Sequence, residues 1–334
     1  MKIDIFNHLF PMNYFDKIME VAPNYKDIGK RIRGVPVLID MDARFRFMDE
    51  FDEYVQVITL CSPPLEALTG PDLSPELARI ANDGMAEYVA KYPDRFPAFV
   101  ASLPMNNIDA AVEEIDRAIG QLGAVGVQIF TNVNGRPLDD PEFKPVFEKM
   151  SKHDLPIWIH PIRGANFPDY LSEEKSKYEI WWTFGWPYET SVTMARLVFG
   201  YYFDEFPNLK IITHHMGGMV PYFEGRVGPG WDQLGARTSD EDYTQILKNL
   251  KKPHLEYFKM FLADTAMFGS VAGTKCGLEF FGADNVLFAS DCPFDPEKGP
   301  GYIRETIKII DALPISEEDR SKIYDGNARR LLKI

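Results

Sequence analysis

Four of the six histidines in this chain stand where short apolar runs end: His8, His160 and the pair His214-His215. Two aspartates stand in the same situation, Asp264 in FLADTA and Asp291 in FASDCP. Imidazole and carboxylate are the side chains that ligate divalent ions and move protons near neutral pH. Two histidines and an aspartate hold a metal while leaving a position open to water or substrate, which suits zinc or manganese. A histidine that is not a ligand is then available as acid or base. One strand-end histidine alone is ordinary, but four such ends among six histidines are not a random scatter. His153 and His254 fall in helix-like or loop contexts and read as surface residues.

Eight apolar, β-branched runs must position these groups, at 2–5, 54–60, 96–103, 124–130, 155–160, 209–214, 260–264 and 286–291. Between them, residues 77–92, 108–119 and 302–313 repeat apolar side chains at three- and four-residue spacing, which predicts helices. Ser74 before Pro75 predicts an N-cap for the first of these, and Gly123 a stop after the second. Eight strands alternating with helices predict an α/β fold, a parallel sheet closed into a (β/α)8 TIM barrel. A doubly wound open sheet is the alternative, though no GxGxxG opens a helix after a strand as a dinucleotide fold requires. Segments 162–188, rich in aromatics, and 216–245 are too long for plain connections. They predict long inserted loops after strands 5 and 6, on the rim where barrel active sites are built. With no repeat or obvious linker, residues 1–334 read as one domain.

The bulk numbers narrow the function classes. Hydrophobic content of 45% with 26% charged residues belongs to a soluble globular protein, and no run is apolar enough to span a membrane. The opening MKIDIFNHLF reads as a strand rather than a signal peptide. A net charge of −14 disfavours nucleic acid or an anionic membrane as partner, but not a small acid met by a few inward arginines. Three cysteines without CxxC spacing predict neither disulfides nor a thiolate metal site, and point to the reducing cytoplasm.

The stretches IDIFNHLFP, ARFRFMDEFDEYVQVIT, WIHP, GWPYETSVTMARLVF, FPNLKIITHHMGGMVPYFEGR, ASDCPF and YDGNARRLL occur in an order spread over nearly the whole length. This pattern resembles the decarboxylase branch of the amidohydrolase superfamily, the aminocarboxymuconate-semialdehyde and resorcylate-type decarboxylases. The resemblance implies a non-oxidative decarboxylase of an aromatic or conjugated enol carboxylic acid, assisted by a divalent metal. It implies His8, His160 and Asp291 as metal ligands, with His215 as acid or base and Asp291 as a second catalytic group. His214, its neighbour, is expected to point the other way and be structural. Arg226 matches an arginine that reaches a neighbouring subunit's site, which implies a homodimer, and Arg44 matches a second carboxylate-binding arginine. Trp182 corresponds to an aromatic near the substrate.

One departure stands out. The family's first strand supplies His-x-His or Glu-x-His, and here Phe6 occupies the first of those places. Asp4, one strand step deeper, is expected to cap the barrel interior instead of substituting as a ligand. Phe6 fits a wall against a substrate ring. Three states stay open: a metal held by His8, His160 and Asp291 with extra water, a site that works without metal, or a lost catalytic role. A hydrolase or hydratase acting on a lactone or amide, metal-independent, is the competing chemistry, and a non-catalytic ligand-binding barrel is the competing class.

Overall fold

The apolar runs become parallel strands because they are covered on both faces, by one another inside a ring and by helices outside it. The fold comes from a computed structural model that describes residues 1–26 and 28–334. The strands are β1 (Lys2–Leu9), β2 (Tyr54–Leu60), β3 (in two pieces, Ala98–Phe99 and Ala101–Ser102), β4 (Val127–Phe130), β5 (Ile157–His160), β6 (Ile211–Thr213), β7 (Leu262–Asp264) and β8 (Val286–Leu287). Each pairs in parallel with its neighbour in chain order. The Val100 N–H donates to the Ile58 carbonyl (3.0 Å) and ties the two pieces of β3 to β2. Ile5 N–H donates to Phe288 O and Asp291 N–H to Phe6 O (both 3.0 Å), and His8 N–H donates to Cys292 O (2.7 Å). These bonds join β1 to the continuation of β8, so the ring closes and an open sheet is ruled out.

Alternation sorts each strand into two layers. Val57, Val100, Trp158, Ile212, Leu262, Leu287 and Ala289 fill the inside. Ile58, Ile129, Ile159, Ile211, Ala263 and Phe288 pack outward under the helices. β1 breaks the rule: its register against β2 slips between Asp4, opposite Gln56, and Asn7, opposite Ile58. This bulge turns Phe6 as well as Ile5 into the interior. Asp4 lies fully buried below them, accepting from the Tyr54 and Ser290 hydroxyls and from the Ser290 and Phe6 N–H groups. It clamps the first, second and last strands from outside the ring, because Ile3 and Ile5 on either side of it face inward and its partner Tyr54 packs in the outward layer, which corrects its reading as an interior cap.

The helices arise as their periodicity predicts, with one change at a cap. Helix Ile108–Leu122 starts on the Asn107 side chain, which accepts from Ala110 N–H, and ends at Gly123 with φ +78°. Helix Ser74–Lys91 starts without a side-chain cap, because the Ser74 hydroxyl donates to Asn106 instead. Both long segments leave C-terminal strand ends. The one after β5 runs without regular structure from 161 to 179 and then enters helices Ile180–Thr183 and Gly185–Phe199. The one after β6 holds short helices at Glu224–Val227 and Trp231–Gln233. Among the described residues no helix is long and apolar enough to cross a membrane.

Candidate functional site

Strand alternation delivers most of the polar groups to one end of the ring. Two residues beyond Trp158 comes His160, beyond Ile212 comes His214, beyond Leu262 comes Asp264, and beyond Ala289 comes Asp291; each first member lies in the interior core. His8 joins them from β1, fully buried above Phe6.

His215 reaches the same place by a different route. The strand stops at Thr213, and the chain then makes a left-handed turn through His215 (φ 56°), Met216 (54°), Gly217 (74°) and Gly218 (64°). Left-handed backbone costs a non-glycine residue about 1–2 kcal/mol, so something must hold it. Asp264 Oδ1 accepts the His215 N–H at 3.0 Å, and Met216 is buried so tightly that a Cβ on Gly277 would lie 1.9 Å from its Cγ. The turn swings both imidazoles to one side, where their centroids sit 3.8 Å apart. The expectation that His214 points away and is structural is therefore corrected. His214 faces the site by ordinary alternation, and His215 is the residue the turn brings round.

The hydrogen bonds fix which nitrogens face inward. The Thr59 hydroxyl donates to the Asn7 carbonyl, so it accepts from His8 Nδ1 (3.1 Å). His160 Nδ1 donates to the Pro161 carbonyl at 2.6 Å, and His214 Nδ1 donates to Asp264. Three imidazoles thus have their Nδ1 atoms engaged and turn Nε2 toward one another, all within 4.8 Å. His8 Nε2 lies 3.0 Å and His214 Nε2 3.4 Å from the same oxygen of Asp291, Oδ1. Imidazole nitrogens this close to a carboxylate oxygen call for positive charge between them, a proton or a metal ion, and the donor set fits a divalent metal. His215 Nε2, 3.7 Å from Asp291 Oδ2, is buried and makes no hydrogen bond.

Charge follows this arrangement. Burial alone would raise the Asp291 carboxyl, but contacts with His214, His215 and His8 outweigh it and hold it well below the ordinary carboxylate range. Burial lowers the imidazoles of His160 and His8, and that of His215 with His214 beside it. His214 is the exception: burial opposes its charge, yet Asp264 and Asp291 push it up to about 9. The two carboxylates draw positive charge to this end of the ring.

Aromatic rings wall the cluster. Phe6, fully buried, sits 3.9 Å from His214, 5.4 Å from His8 and 5.8 Å from His160 by ring centroids, so it forms a floor beneath the imidazoles. Phe130 and Trp186 flank His160 (5.2 and 5.4 Å), Phe294 flanks His8 (5.6 Å) and Phe268 flanks His215 (5.1 Å). Trp182 stands one ring further out, against Trp186 at 6.4 Å, so Trp186 is the tryptophan that meets the site. Beyond His160 the rim opens into a cleft of about 410 Å³ bordered by Asn132, Ile162, Arg163 and Trp181.

The arginines divide differently from expectation. Arg44 is fully buried with its donors committed to Gln56 Oε1 (2.8 Å), the His8 carbonyl (2.7 Å) and Asn7 Oδ1 (2.8 Å). It braces β1 from behind and presents no fork to a substrate, which corrects its reading as a carboxylate-binding residue. Arg226 is exposed, with its guanidinium 5.8 Å from the Phe223 ring. Arg31 lies over the Phe294 ring (4.6 Å) and donates to the Phe294 carbonyl, near the mouth. His153 pairs with Asp116 at the surface, whereas His254 is buried against the Gly228 carbonyl. Sequence reasoning missed the roles of Thr59, Asp264 and Phe294, while Trp186 belongs to the aromatic segment expected to close over the ring. Only Asp264 had a signal, its place at the end of an apolar run.

The chain is similar to known proteins over nearly its whole length. The amidohydrolase family model matches residues 3–334. Gamma-resorcylate decarboxylase of Rhizobium sp. (strain MTP-10005) is 33% identical over 312 residues, covering 89% of this chain and 88% of that one. The 2-amino-3-carboxymuconate-6-semialdehyde decarboxylase of Dictyostelium discoideum is 28% identical, covering 100% of this chain and 92% of its own. Among solved structures, dihydroxybenzoic acid decarboxylase from Polaromonas sp. JS666, with bound manganese and the inhibitor 2-nitroresorcinol, superimposes with a TM-score of 0.78. It is 29% identical and covers 99% of this chain and 96% of its own.

Proposed function

The chain belongs to the amidohydrolase family, and from that premise we propose that it is a carboxy-lyase: a non-oxidative decarboxylase of an aromatic or conjugated enol carboxylic acid, assisted by a divalent metal. The observation that carries this reading is the convergence of His8, His214 and His215 on the Asp291 carboxylate, with His160 grouped beside His8 and His214, beneath a rim of aromatic rings. His8, His160 and Asp291 hold the ion, zinc or manganese, since imidazole with carboxylate suits both and a solved relative carries manganese. When bound, the ion supplies Lewis-acid charge to the hydroxyl and carboxylate oxygens of the acid.

Loss of CO2 leaves an electron pair on carbon, so a proton must reach that carbon. His215 is the group suited to deliver it. Burial lowers its pKa, so the imidazolium it forms on taking up a proton is a strong acid that returns to neutral imidazole on donating, and its Nε2 makes no hydrogen bond that would have to break first. His215 protonates the ring carbon that bears the carboxylate, the C–C bond breaks, its electron pair restores the ring, and CO2 departs. Asp291 Oδ2, 3.7 Å away, completes the path by which the proton is replaced. Phe294, Trp186 and Phe268 offer faces to an aromatic ring and exclude water from the bond that breaks. Arg31 at the mouth of this chain and Arg226 reaching from a second copy bind the carboxylate as planar forks.

The working unit is a homodimer of one-domain (β/α)8 barrels with the segments after β5 and β6 inserted as loops over the rim. Its compartment is the cytoplasm, in keeping with three free cysteines, two of them buried.

The test is product analysis of purified enzyme with ortho-hydroxy aromatic acids. Decarboxylation releases CO2 and consumes a proton, whereas hydrolysis of a lactone releases one. Asp291→Asn and His215→Asn should each lower kcat by about 10²–10⁴-fold with the fold intact. Turnover of lactones without CO2 from any acid, or a fully active Asp291→Asn, would overturn the proposal.

A further inference from the structure

We infer that His214 is itself a metal ligand, taking the place in the coordination sphere that Phe6 cannot fill. This rests on the metal-assisted reading above and adds a residue to it. Phe6 packs its ring against His8, His160 and His214 and offers no donor. His214, whose ring lies 3.9 Å from that of Phe6, supplies the donor from beside the place that Phe6 occupies. Its Nε2 and that of His8 approach the same oxygen, Asp291 Oδ1, at 3.4 and 3.0 Å. The donor atoms of His8, His160 and His214 lie within 4.8 Å of one another.

What surrounds His214 is what a ligating imidazole requires. Its Nδ1 donates to Asp264, and a carboxylate behind an imidazole fixes the tautomer and raises the basicity of the other nitrogen. Asp264 is rigid in turn: its second oxygen accepts the backbone N–H groups of His215 (3.0 Å) and Ala266 (3.1 Å). His8 and His160 are braced through Nδ1 in the same manner, by Thr59 and by the Pro161 carbonyl. His215 is not. Asp264 holds its backbone and leaves its ring free, and that ring approaches Asp291 only to 3.7 Å. One carboxylate therefore orients a ligand and its neighbouring proton carrier, and the two adjacent histidines divide the work between binding the ion and moving the proton.

The experiment uses chelator-stripped full-length protein titrated with manganese or cobalt(II), with metal per chain read by elemental analysis and the cobalt absorption spectrum as a second readout. His214→Asn keeps an amide donor for Asp264 and removes the atom facing the ion. It should weaken metal binding by about 100-fold or more, at or beyond the effect of losing an outer partner. His215→Asn should bind as the wild type does. The double variant Phe6→His/His214→Asn should regain metal, because a ring at position 6 faces the same centre. Pulsed EPR of the copper(II)-loaded wild type needs no variant to fold and should count three coordinated imidazoles. Two imidazoles there, or wild-type affinity and an unchanged cobalt spectrum in His214→Asn, would overturn the inference while leaving metal-assisted chemistry standing. A wild-type chain that binds no metal would overturn both.

Discussion

Arg44 and Glu66 are buried charged residues that the chemistry does not use, and their burial makes opposite predictions. Arg44 serves three acceptors on β1 and β2, one of them the carbonyl of His8. No carboxylate pairs with it among the described residues. Arg44→Met removes all three charge-assisted bonds and should lower stability by about 3 kcal/mol or more. Denaturant unfolding beside steady-state kinetics checks this: the unfolding midpoint should fall while KM for the acid stays within about three-fold. A raised KM at unchanged stability would return Arg44 to the substrate. Glu66 has no such partners. Its Oε1 makes no hydrogen bond, and burial pushes its carboxyl from the ordinary 4.5 up to about 7. Its folded state therefore holds the proton more tightly than the unfolded chain. The stability this gives is complete below about pH 4.5 and is lost as pH rises to about 7, a loss of about 3 kcal/mol. Glu66→Gln should gain that amount over wild type at pH 8 and far less at pH 5, by urea unfolding at both. A gain that does not grow with pH would show that Glu66 ionises freely in the folded protein.

At the scale of elements, the catalytic turn depends on the helix behind it. Helix Val271–Phe281 approaches the left-handed turn at Gly277, where a methyl would strike Met216 Cγ at 1.9 Å. Gly277→Ala should cost about 1–3 kcal/mol by overpacking and displace His215, so kcat should fall further than KM changes. Gly120 is the control: it sits in helix Ile108–Leu122 with nothing within 4 Å of an added Cβ. Gly120→Ala should stabilise by about 0.5–1 kcal/mol and leave turnover alone. The same elements show what the sequence could and could not convey. Helix Ile108–Leu122 was legible from its period and from Gly123 as its stop, which are local signals, although the periodic run ended at 119 and the Asn107 cap went unread. The inward and outward faces of the strands were not, since both are apolar: Ile211 packs outward and Ile212 inward with nothing in their types to say so. The orientation of His214 and His215 was lost with that parity. It depends on a left-handed turn at two non-glycine residues, His215 and Met216, held from elsewhere in the chain by Asp264 and by the close approach of Gly277 to Met216. His8, His160 and Asp291 were legible because a polar residue ending an apolar run is visible whichever way the run faces.

At the scale of the whole molecule, the loops above the rim leave apolar surface that one chain does not cover. Tyr170, Leu171, Tyr178 and Phe184 after β5 and Tyr222 after β6 are exposed, and Arg226 stands beside this surface with its guanidinium toward solvent. A chain of net charge −14 resists self-association unless such a surface is buried and such cations find acids. The proposed dimer meets both needs, and in a twofold arrangement each site borrows Arg226 from the other chain. That makes subunit mixing decisive. Arg226→Ala and Asp291→Asn homodimers should each be nearly inactive. After dissociation and random reassociation, half of the dimers are hybrids, and each hybrid has one site with an intact Asp291 and an intact Arg226 from its neighbour. Activity per chain should therefore recover to about a quarter of the wild-type value. Recovery must rise with the hybrid fraction measured by native mass spectrometry. Hybrids that form without recovery would show that Arg226 serves only its own chain, or the interface alone.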